Sequence, residues 1–389
     1  MEKYKRVYAT VNLDAIAFNI QQMKANIDSD TQIIAVIKAD GYGHGAVQIA
    51  HLIEEYDYIW GFAVATAEEA FILRNHKIAK PILILGYVFH EHYKKLIQEE
   101  IHLTVFTFEM AKELSDIAKE VNKKVKVHIK IDTGMRRIGF QCNSDSLMKI
   151  IDISKLSNIK IEAAFTHFAK ADEADKTSAN MQLDLYKQFV SEIEEMGVPI
   201  PIKHCSNSAG IMDMRTANMD AVRAGIIIYG LYPSNEVSTD KVMLRPAMEL
   251  KSHIVHIKEI PKDFGISYGW TWTTNKTTKV ATIPVGYADG YPRSLSNQGW
   301  VLIKGQKAPI LGRICMDQFM VDVTEIENML PNDEVTLIGK DGELLISVEE
   351  ISDISGRFNY EFVCDIGKRV PRVFLKNNKI VETKDYFNE

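Results

Sequence analysis

The chain has 389 residues, a net charge of -6, 46% apolar and 25% charged residues. That length can bury a large core, in two or three domains or in one α/β barrel that takes up most of the chain. The acid excess argues against nucleic acid and against anionic membrane surfaces, which call for basic patches. No apolar run nears the roughly eighteen residues of a membrane span, and the opening stretch MEKYKRVYATVNLD lacks an apolar signal core. Four scattered cysteines form no C-x-x-C pair. The expectation is a soluble, cytoplasmic protein with reduced thiols, and no nucleic-acid or membrane partner.

In chain order, β-branched runs alternate with helical periodicity. The expected strands are Ile33–Lys38, Ile59–Val64, Ile82–Gly86, Leu103–Phe106, Val125–Asp132, Ile161–His167, Ile202–Ser206 and Ala221–Tyr229. Amphipathic stretches such as Thr66–Arg74, Glu109–Val121 and Ser178–Met196 lie between them. Strands at this rhythm pair in parallel through helical crossovers. An open doubly wound sheet fits the pattern, but eight units and then a stop favour a closed (β/α)8 barrel of the TIM type. After Tyr232 comes a polar, Pro-punctuated linker, YPSNEVSTDKVMLRP. Beyond it, short runs read as strands: Ile254–Ile257, Val280–Val285, Val301–Lys304, Ala308–Leu311, Met320–Val323 and Glu334–Ile338, with one helical piece near Val348–Phe358. The expected domains are a barrel over 1–235 and a mostly-β domain over 236–389, with the first strand, about 6–13, able to join the latter.

The stretch AVIKADGYGHGA puts Lys38 at the end of the first barrel strand, followed by Gly41, Gly43 and Gly45. Gly41, Gly43 and Ala46 satisfy a dinucleotide fingerprint, but that motif wants glycine directly after the strand and an acid after the next one. Here Lys38-Ala39-Asp40 intervene and the next strand ends Val64-Ala65-Thr66. Alternatively, a barrel strand's C-terminal end faces the active-site mouth. A partly desolvated lysine there is a usable amine, able to form a Schiff base with a carbonyl cofactor such as pyridoxal 5'-phosphate (PLP). The glycines would let the loop turn beside the cofactor, and Tyr42 would offer a hydroxyl. A lysine snorkelling to solvent fits this stretch equally well.

A PLP site also needs phosphate donors and a partner for the ring nitrogen. HCSNSAG offers Asn207 and Ser208 at a helix start, and VRAGIIIYG offers the amides of Gly225 and Ile226; a plain helix cap explains the first equally. Arg223 lies on the eighth strand, where a charge is costly unless paired. Facing a pyridine nitrogen it would donate a hydrogen bond and leave the ring unprotonated. Bridging to an acid across the barrel is the plainer alternative.

These residues and their order identify a resemblance. AVIKADGYGHG, KIDTGMRRIGF, THFAKADE, HCSNSAG, VRAGIIIYG, SYG, IPVGYADGY, GRICMDQ and NYEF follow one another as in alanine racemases, from about Tyr8 to about Phe374. The resemblance implies a PLP-dependent homodimer with shared active sites that interconverts L- and D-alanine, the latter for cell-wall peptidoglycan. It implies that Lys38 holds PLP and is the base on one face of Cα, with Tyr268 from the partner subunit on the other. Tyr42, Ser208, Gly225, Ile226 and Tyr360 would hold the phosphate. His167 would pack on the ring and Arg223 meet its nitrogen. Arg137 would approach the phenolic oxygen and the substrate carboxylate, with Lys130 as a carbamylated lysine that orients it. Met316, Asp317 and Tyr287 would line the substrate side from the other subunit. The chemistry agrees, since one rigid base cannot easily serve both faces, and a tyrosine base needs its pKa lowered by a neighbour. Other readings of this barrel type are a racemase of another small amino acid such as serine, a PLP decarboxylase, or a PLP carrier.

One motif departs from the family: Met135-Arg136-Arg137 stands where Met-Gly-Arg is common. Spacing to Gly139 assigns the role to Arg137. His90-Glu91-His92 lacks a third ligand at a suitable spacing and is expected to be a solvated helix start rather than a metal site. Cys315 is expected to be buried.

Overall fold

In the computed structural model, residues 4–387 are described; the outermost ends of the two expected domains, 1–3 and 388–389, lie outside them. Two compact units emerge. One comprises Ala17–Gly41 and Ala46–Leu244; the other takes the chain up to Ile16, the short segment Tyr42–Gly45, and everything from Arg245 on. In that second unit β1, Val7–Asn12, pairs antiparallel with one C-terminal strand and parallel with another.

The first unit holds eight parallel strands: β2 (Gln32–Val36), β3 (Ile59–Val64), β4 (Ile82–Ile84), β5 (His102–Val105), β6 (Val125–Asp132), β7 (Ile159–Phe165), β8 (Ile202–His204) and β9 (Ala221–Ala224). From β2 to β8 each pairs in parallel with the next, and β9 pairs in parallel with β2. The Arg223 amide donates to the Ser206 carbonyl at 2.9 Å, linking the last two strands and completing the ring. Runs such as QIIAV in β2 are apolar on both faces because helices cover the outside and side chains fill the inside. Three crossover helices start where the sequence supplies caps. Thr66 and Glu69 form a reciprocal capping box, and Thr107 and Asn143 accept from Met110 and Ser146.

Several expected strands are too long. Lys38 lies beyond β2, and the eighth run stops at Ala224, where Ile226–Tyr229 winds into a 3-10 turn. After Lys38 the chain enters a left-handed turn that the glycines do not carry alone. Ala39, Asp40, Gly41 and Tyr42 have φ of 51°, 50°, 63° and 50°. Left-handed backbone costs L-residues roughly 1–2 kcal/mol each. Side chains offset this cost. Asp40 Oδ1 accepts the Ala46 amide at 2.9 Å and Glu69 Oε1 accepts that of Ala39 at 2.6 Å.

The second unit is built on an eleven-stranded sheet, with a small two-stranded ladder of Gly265–Ile266 and Trp272–Thr273. β10 (Met248–His253) pairs with β1 and with β16 (Glu334–Asp341), while β17 (Arg372–Lys376) runs parallel to β1. The expected strand Ile254–Ile257 falls on the break between β10 and β11, His256–Ile260. β10 escapes sequence reading because MELKSH looks solvated; in the sheet, Lys251 is buried and donates to Thr336 Oγ1 and to the Lys340 carbonyl, both at 2.8 Å. The expected single helix near 348–358 is two helices, Val348–Ser355 and Asn359–Asp365, separated at the left-handed Gly356.

Candidate active site

The C-terminal ends of the barrel strands gather the expected polar residues of the first unit. Lys38 is half-buried at the end of β2. Arg223, on β9, is 3% exposed. Its Nη1 donates to the His204 carbonyl at 2.8 Å and to His204 Nδ1 at 2.9 Å. Its Nη2 donates to the carbonyls of Thr166 and Cys205 at 2.7 and 2.9 Å and to His167 Nδ1 at 3.3 Å. Among the described residues no carboxylate pairs with it and no acceptor takes Nε, so the alternative of an acid across the barrel is corrected. Burial pulls its pKa down to about 10, so it remains a cation at neutral pH.

Around Arg223 lies a group of cations. Lys130 on β6 is 2% exposed; its Nζ donates to the Ile131 carbonyl at 3.0 Å and lies 5.3 Å from the Phe165 ring centre. Burial first, then the charge of Arg223, lowers its pKa to about 8. His167 is held neutral, well below the usual imidazole range, by burial and by the charges of Arg223, Arg137, Lys130 and Lys38. The same field separates the two adjacent arginines. Arg137 acts on Lys130, His167 and Arg223. Arg136 instead bonds outward to Gln141 Oε1 at 3.0 Å. With φ of 58°, Arg136 also occupies a left-handed position, which glycine adopts without cost.

The loops after β8 and β9 meet. Asn207 caps the helix Ser208–Asp213 by accepting the Gly210 amide at 3.0 Å, and Ser208 Oγ accepts the Gly225 amide at 3.0 Å. Ile226 follows, fully buried at the start of its 3-10 turn. β8, β9 and β2 are neighbours in the ring, so three parts lie on adjacent strand ends: an amine, a fixed cationic donor with Nε unused, and a backbone and hydroxyl cradle. That donor set fits PLP, whose aldehyde, acceptor nitrogen and phosphate need these partners.

The other expected residues belong to the second unit. Tyr42 and Tyr360 approach with ring centres 6.0 Å apart, and Tyr360 stacks on Phe358 at 4.5 Å. Tyr268 is 69% exposed, in the turn Tyr268–Trp270. A cavity of about 330 Å³ is lined by Ser267, Tyr268, Trp270, Cys315 and Met320. Tyr287 and Met316 are exposed on two loops knitted by backbone bonds, Tyr287 to Cys315 at 3.1 Å and Ala288 to Met316 at 3.0 Å. A Cβ on Gly286 would fall 2.3 Å from both of those carbonyl oxygens, so only glycine fits there. Asp317 pairs with Arg369 at 2.8 Å. Cys315 is half-buried, not buried as expected. His90–His92 forms an exposed 3-10 turn whose histidines face Glu113 and Glu68.

Sequence reasoning missed two supports. His204 was quoted only as part of a helix-start motif, yet it holds Arg223. Arg372, 1% exposed, donates to the carbonyls of Gly43, Gly367, Val370 and Ile366, and so ties Tyr42–Gly45 into the second unit. An arginine in a strand pattern gives no sign of which carbonyls it will reach.

Comparison with known proteins identifies the chain's relatives. The family model "Alanine racemase, N-terminal domain" matches residues 11–233, and "Alanine racemase, C-terminal domain" matches 247–374. An alanine racemase of Clostridium perfringens is 46% identical over 380 residues, covering 98% of each chain. The solved alanine racemase of Clostridium difficile matches with a TM-score of 0.94 and 44% identity, over 98% of this chain and 99% of that one. A structure of the Bartonella henselae alanine racemase with covalently bound pyridoxal phosphate matches with a TM-score of 0.84 and 28% identity, over 96% of this chain and 100% of that one. The chain belongs to the alanine racemase family, a family of isomerases with a TIM-type barrel and a C-terminal mostly-β part.

Proposed function

We propose that the protein racemises alanine with PLP held at Lys38, as a cytoplasmic homodimer whose sites are each completed by Tyr268 of the partner subunit, and that it supplies D-alanine for peptidoglycan. Residues 1–235, less the first strand that joins the β part, are the cofactor domain, and 236–389 the domain that lends the second base. The observation carrying this reading is the buried Arg223, fixed by carbonyls and neutral histidines rather than by an acid.

PLP, when bound, supplies an electron-withdrawing ring that acidifies the substrate's Cα–H. Arg223, a donor that stays charged, keeps the ring nitrogen an acceptor. This limits charge delocalisation and suits proton transfer over decarboxylation. Asn207, Ser208, Gly225, Ile226, Tyr42 and Tyr360 hold the phosphate, and His167 packs against the ring. Lys38 Nζ takes or returns the Cα proton on one face, and the Tyr268 hydroxyl of the partner subunit does so on the other. Arg137 orients the substrate carboxylate. Lys130, whose lowered pKa leaves a neutral fraction near pH 8, is the amine able to take up carbon dioxide as a carbamate. Met316, Asp317 and Tyr287 of the partner subunit border the substrate.

The test is L-alanine incubated with protein and PLP in heavy water, followed by proton NMR and chiral analysis. Loss of the Cα proton with appearance of D-alanine is expected. An unchanged spectrum with PLP bound would overturn the reading, and ethylamine would indicate decarboxylation.

A further inference from the structure

The barrel interior carries three histidines that the reaction above does not use. His102 is 2% exposed, and His128 and His204 are fully buried. They form a file. His204 Nε2 lies 3.1 Å from His128 Nδ1, and His128 Nε2 lies 3.2 Å from His102 Nδ1. The file descends from Arg223 to the first residue of β5, crossing from β8 through β6. Its rings are walled in. Phe165 stacks on His204 at 4.9 Å and 4°, and the Trp60 edge meets His102 and His128 at 5.2 and 5.4 Å. Barrel interiors are ordinarily filled with branched apolar side chains, so three imidazoles in line call for a reason.

The direction of every bond follows from one end. Arginine nitrogens only donate, so His204 Nδ1, 2.9 Å from Arg223 Nη1, must be an acceptor. All three imidazoles are held neutral, chiefly by burial. A neutral imidazole has one donor and one acceptor. His204 therefore carries its proton on Nε2 and donates to His128, which carries its own on Nε2 and donates to His102. Among the described residues the remaining N–H, on His102 Nε2, has no recorded acceptor.

We infer that His128 and His102 are positioning residues for Arg223: a one-way file of three Nε2-protonated rings that fixes the guanidinium where the ring nitrogen of the cofactor meets it. Without the second ring, the His204 N–H is stranded in a dry interior with no acceptor, and the imidazole is no longer held from its far side. His204 would move to satisfy that N–H, and Arg223, bonded to its Nδ1, would shift with it. Aligned hydrogen bonds in a low-dielectric interior reinforce one another, so the effect of His128 reaches beyond its own contact.

The inference rests on the proposed racemase reading, but its first readout does not. In the full-length protein with PLP and 15N-labelled histidine, long-range 15N–1H correlation should show His102, His128 and His204 as neutral Nε2–H tautomers. A cationic ring or an Nδ1–H tautomer at any of the three would overturn the file. The second readout compares His128→Phe with His128→Gln, the latter retaining a donor and an acceptor. His128→Phe should shift the His204 15N signals, displace the visible absorption band of bound PLP and lower kcat roughly tenfold, the scale of one lost buried hydrogen bond. KM should stay within about twofold, since the substrate carboxylate is held elsewhere, and His128→Gln should restore most of kcat. If His128→Phe destabilises the fold, His102→Phe, at the end of the file, should show the same changes at smaller size. Variants that lose thermal stability alone, with the His204 signals, the band and kcat unmoved, would assign the file to packing. Failure of the unmodified protein to racemise alanine would sink the function while leaving the tautomer result to stand or fall by itself.

Discussion

The barrel unit and the β unit treat their chemical side chains in opposite ways. Arg223 and Lys130 are 3% and 2% exposed and locked by carbonyls, whereas Tyr268 and Met316 are 69% and 52% exposed. A fixed cation must be preorganised, because a charge moved out of water needs all its donors satisfied at once. Under the proposed function, a hydroxyl that serves another subunit must instead remain outside its own core. The contrast predicts that changes in the barrel cost stability and activity together, and that changes at the displayed residues cost activity alone.

The strongest way to break the contrast is at the two bases. Lys38→Ala and Tyr268→Phe should each lower racemisation by about 10³-fold, the range expected when a positioned proton-transfer group is lost. Tyr268→Phe should leave the melting temperature unchanged, and in heavy water it should still exchange the Cα proton of one enantiomer slowly. Full racemisation by proven monomers in a dilution series would remove the second subunit from the site.

Arg223→Met is next. It strands the carbonyls of Thr166, His204 and Cys205, and unsatisfied buried groups cost about 1–3 kcal/mol each before relaxation. A stability loss of about 3 kcal/mol in urea unfolding is expected, against less than about 0.5 kcal/mol for an exposed substitution. Equal losses for Arg223→Met and Tyr268→Phe would erase the distinction.

Lys130 sharpens it through pH. The folded protein releases this proton near pH 8, because burial and Arg223 disfavour the ammonium; an unfolded lysine keeps it to about pH 10.4. Between those values the unfolded state binds more protons, so the contribution of Lys130 to stability rises with pH. In buffer free of carbon dioxide, Lys130→Met should therefore exceed the parent in relative stability most below pH 8, with the gap narrowing toward pH 10. Parallel curves would mean that Lys130 is not desolvated. The smallest effect belongs to Arg136→Gly. Relief of the left-handed backbone should raise stability by about 0.5–1 kcal/mol, with racemisation unchanged, whereas Arg137→Ala should be damaging. If Arg136→Ala is the more damaging of the two arginine variants, the substrate contact belongs to Arg136.

Much of the fold was legible because strand runs and helical stretches alternate eight times, and several helix starts carry their caps. The boundaries were less legible where backbone geometry overrides composition. KADGY looks like a strand end running into a glycine turn, yet Ala39 and Asp40 share the left-handed conformation because Glu69 and the Asp40 side chain satisfy their surroundings. The motifs drew attention to Lys38, Lys130, Arg223 and the 207–208 and 225–226 loops, all at the same end of the barrel. What holds them was invisible. His102, His128 and His204 lie 26 and 76 residues apart, in runs that read as ordinary strands, and only closing the barrel brings their rings into line. Likewise Lys251 made β10 look like surface, because its partners on β16 come from 85 and 89 positions further along.

The pairing of β1 with β17 has a consequence for how the protein is made. Ala9 lies beside Arg372, 372 − 9 = 363 positions later. At about 5–20 residues per second, a ribosome leaves VYATVN without that neighbour for roughly 20–70 s. The barrel strands can all emerge within that interval, while VYATVN, made before them, waits for a partner made after them. Slowed elongation between the two strands, or a chaperone too scarce to shelter the waiting segment, would lower the yield of active protein without any change in its sequence.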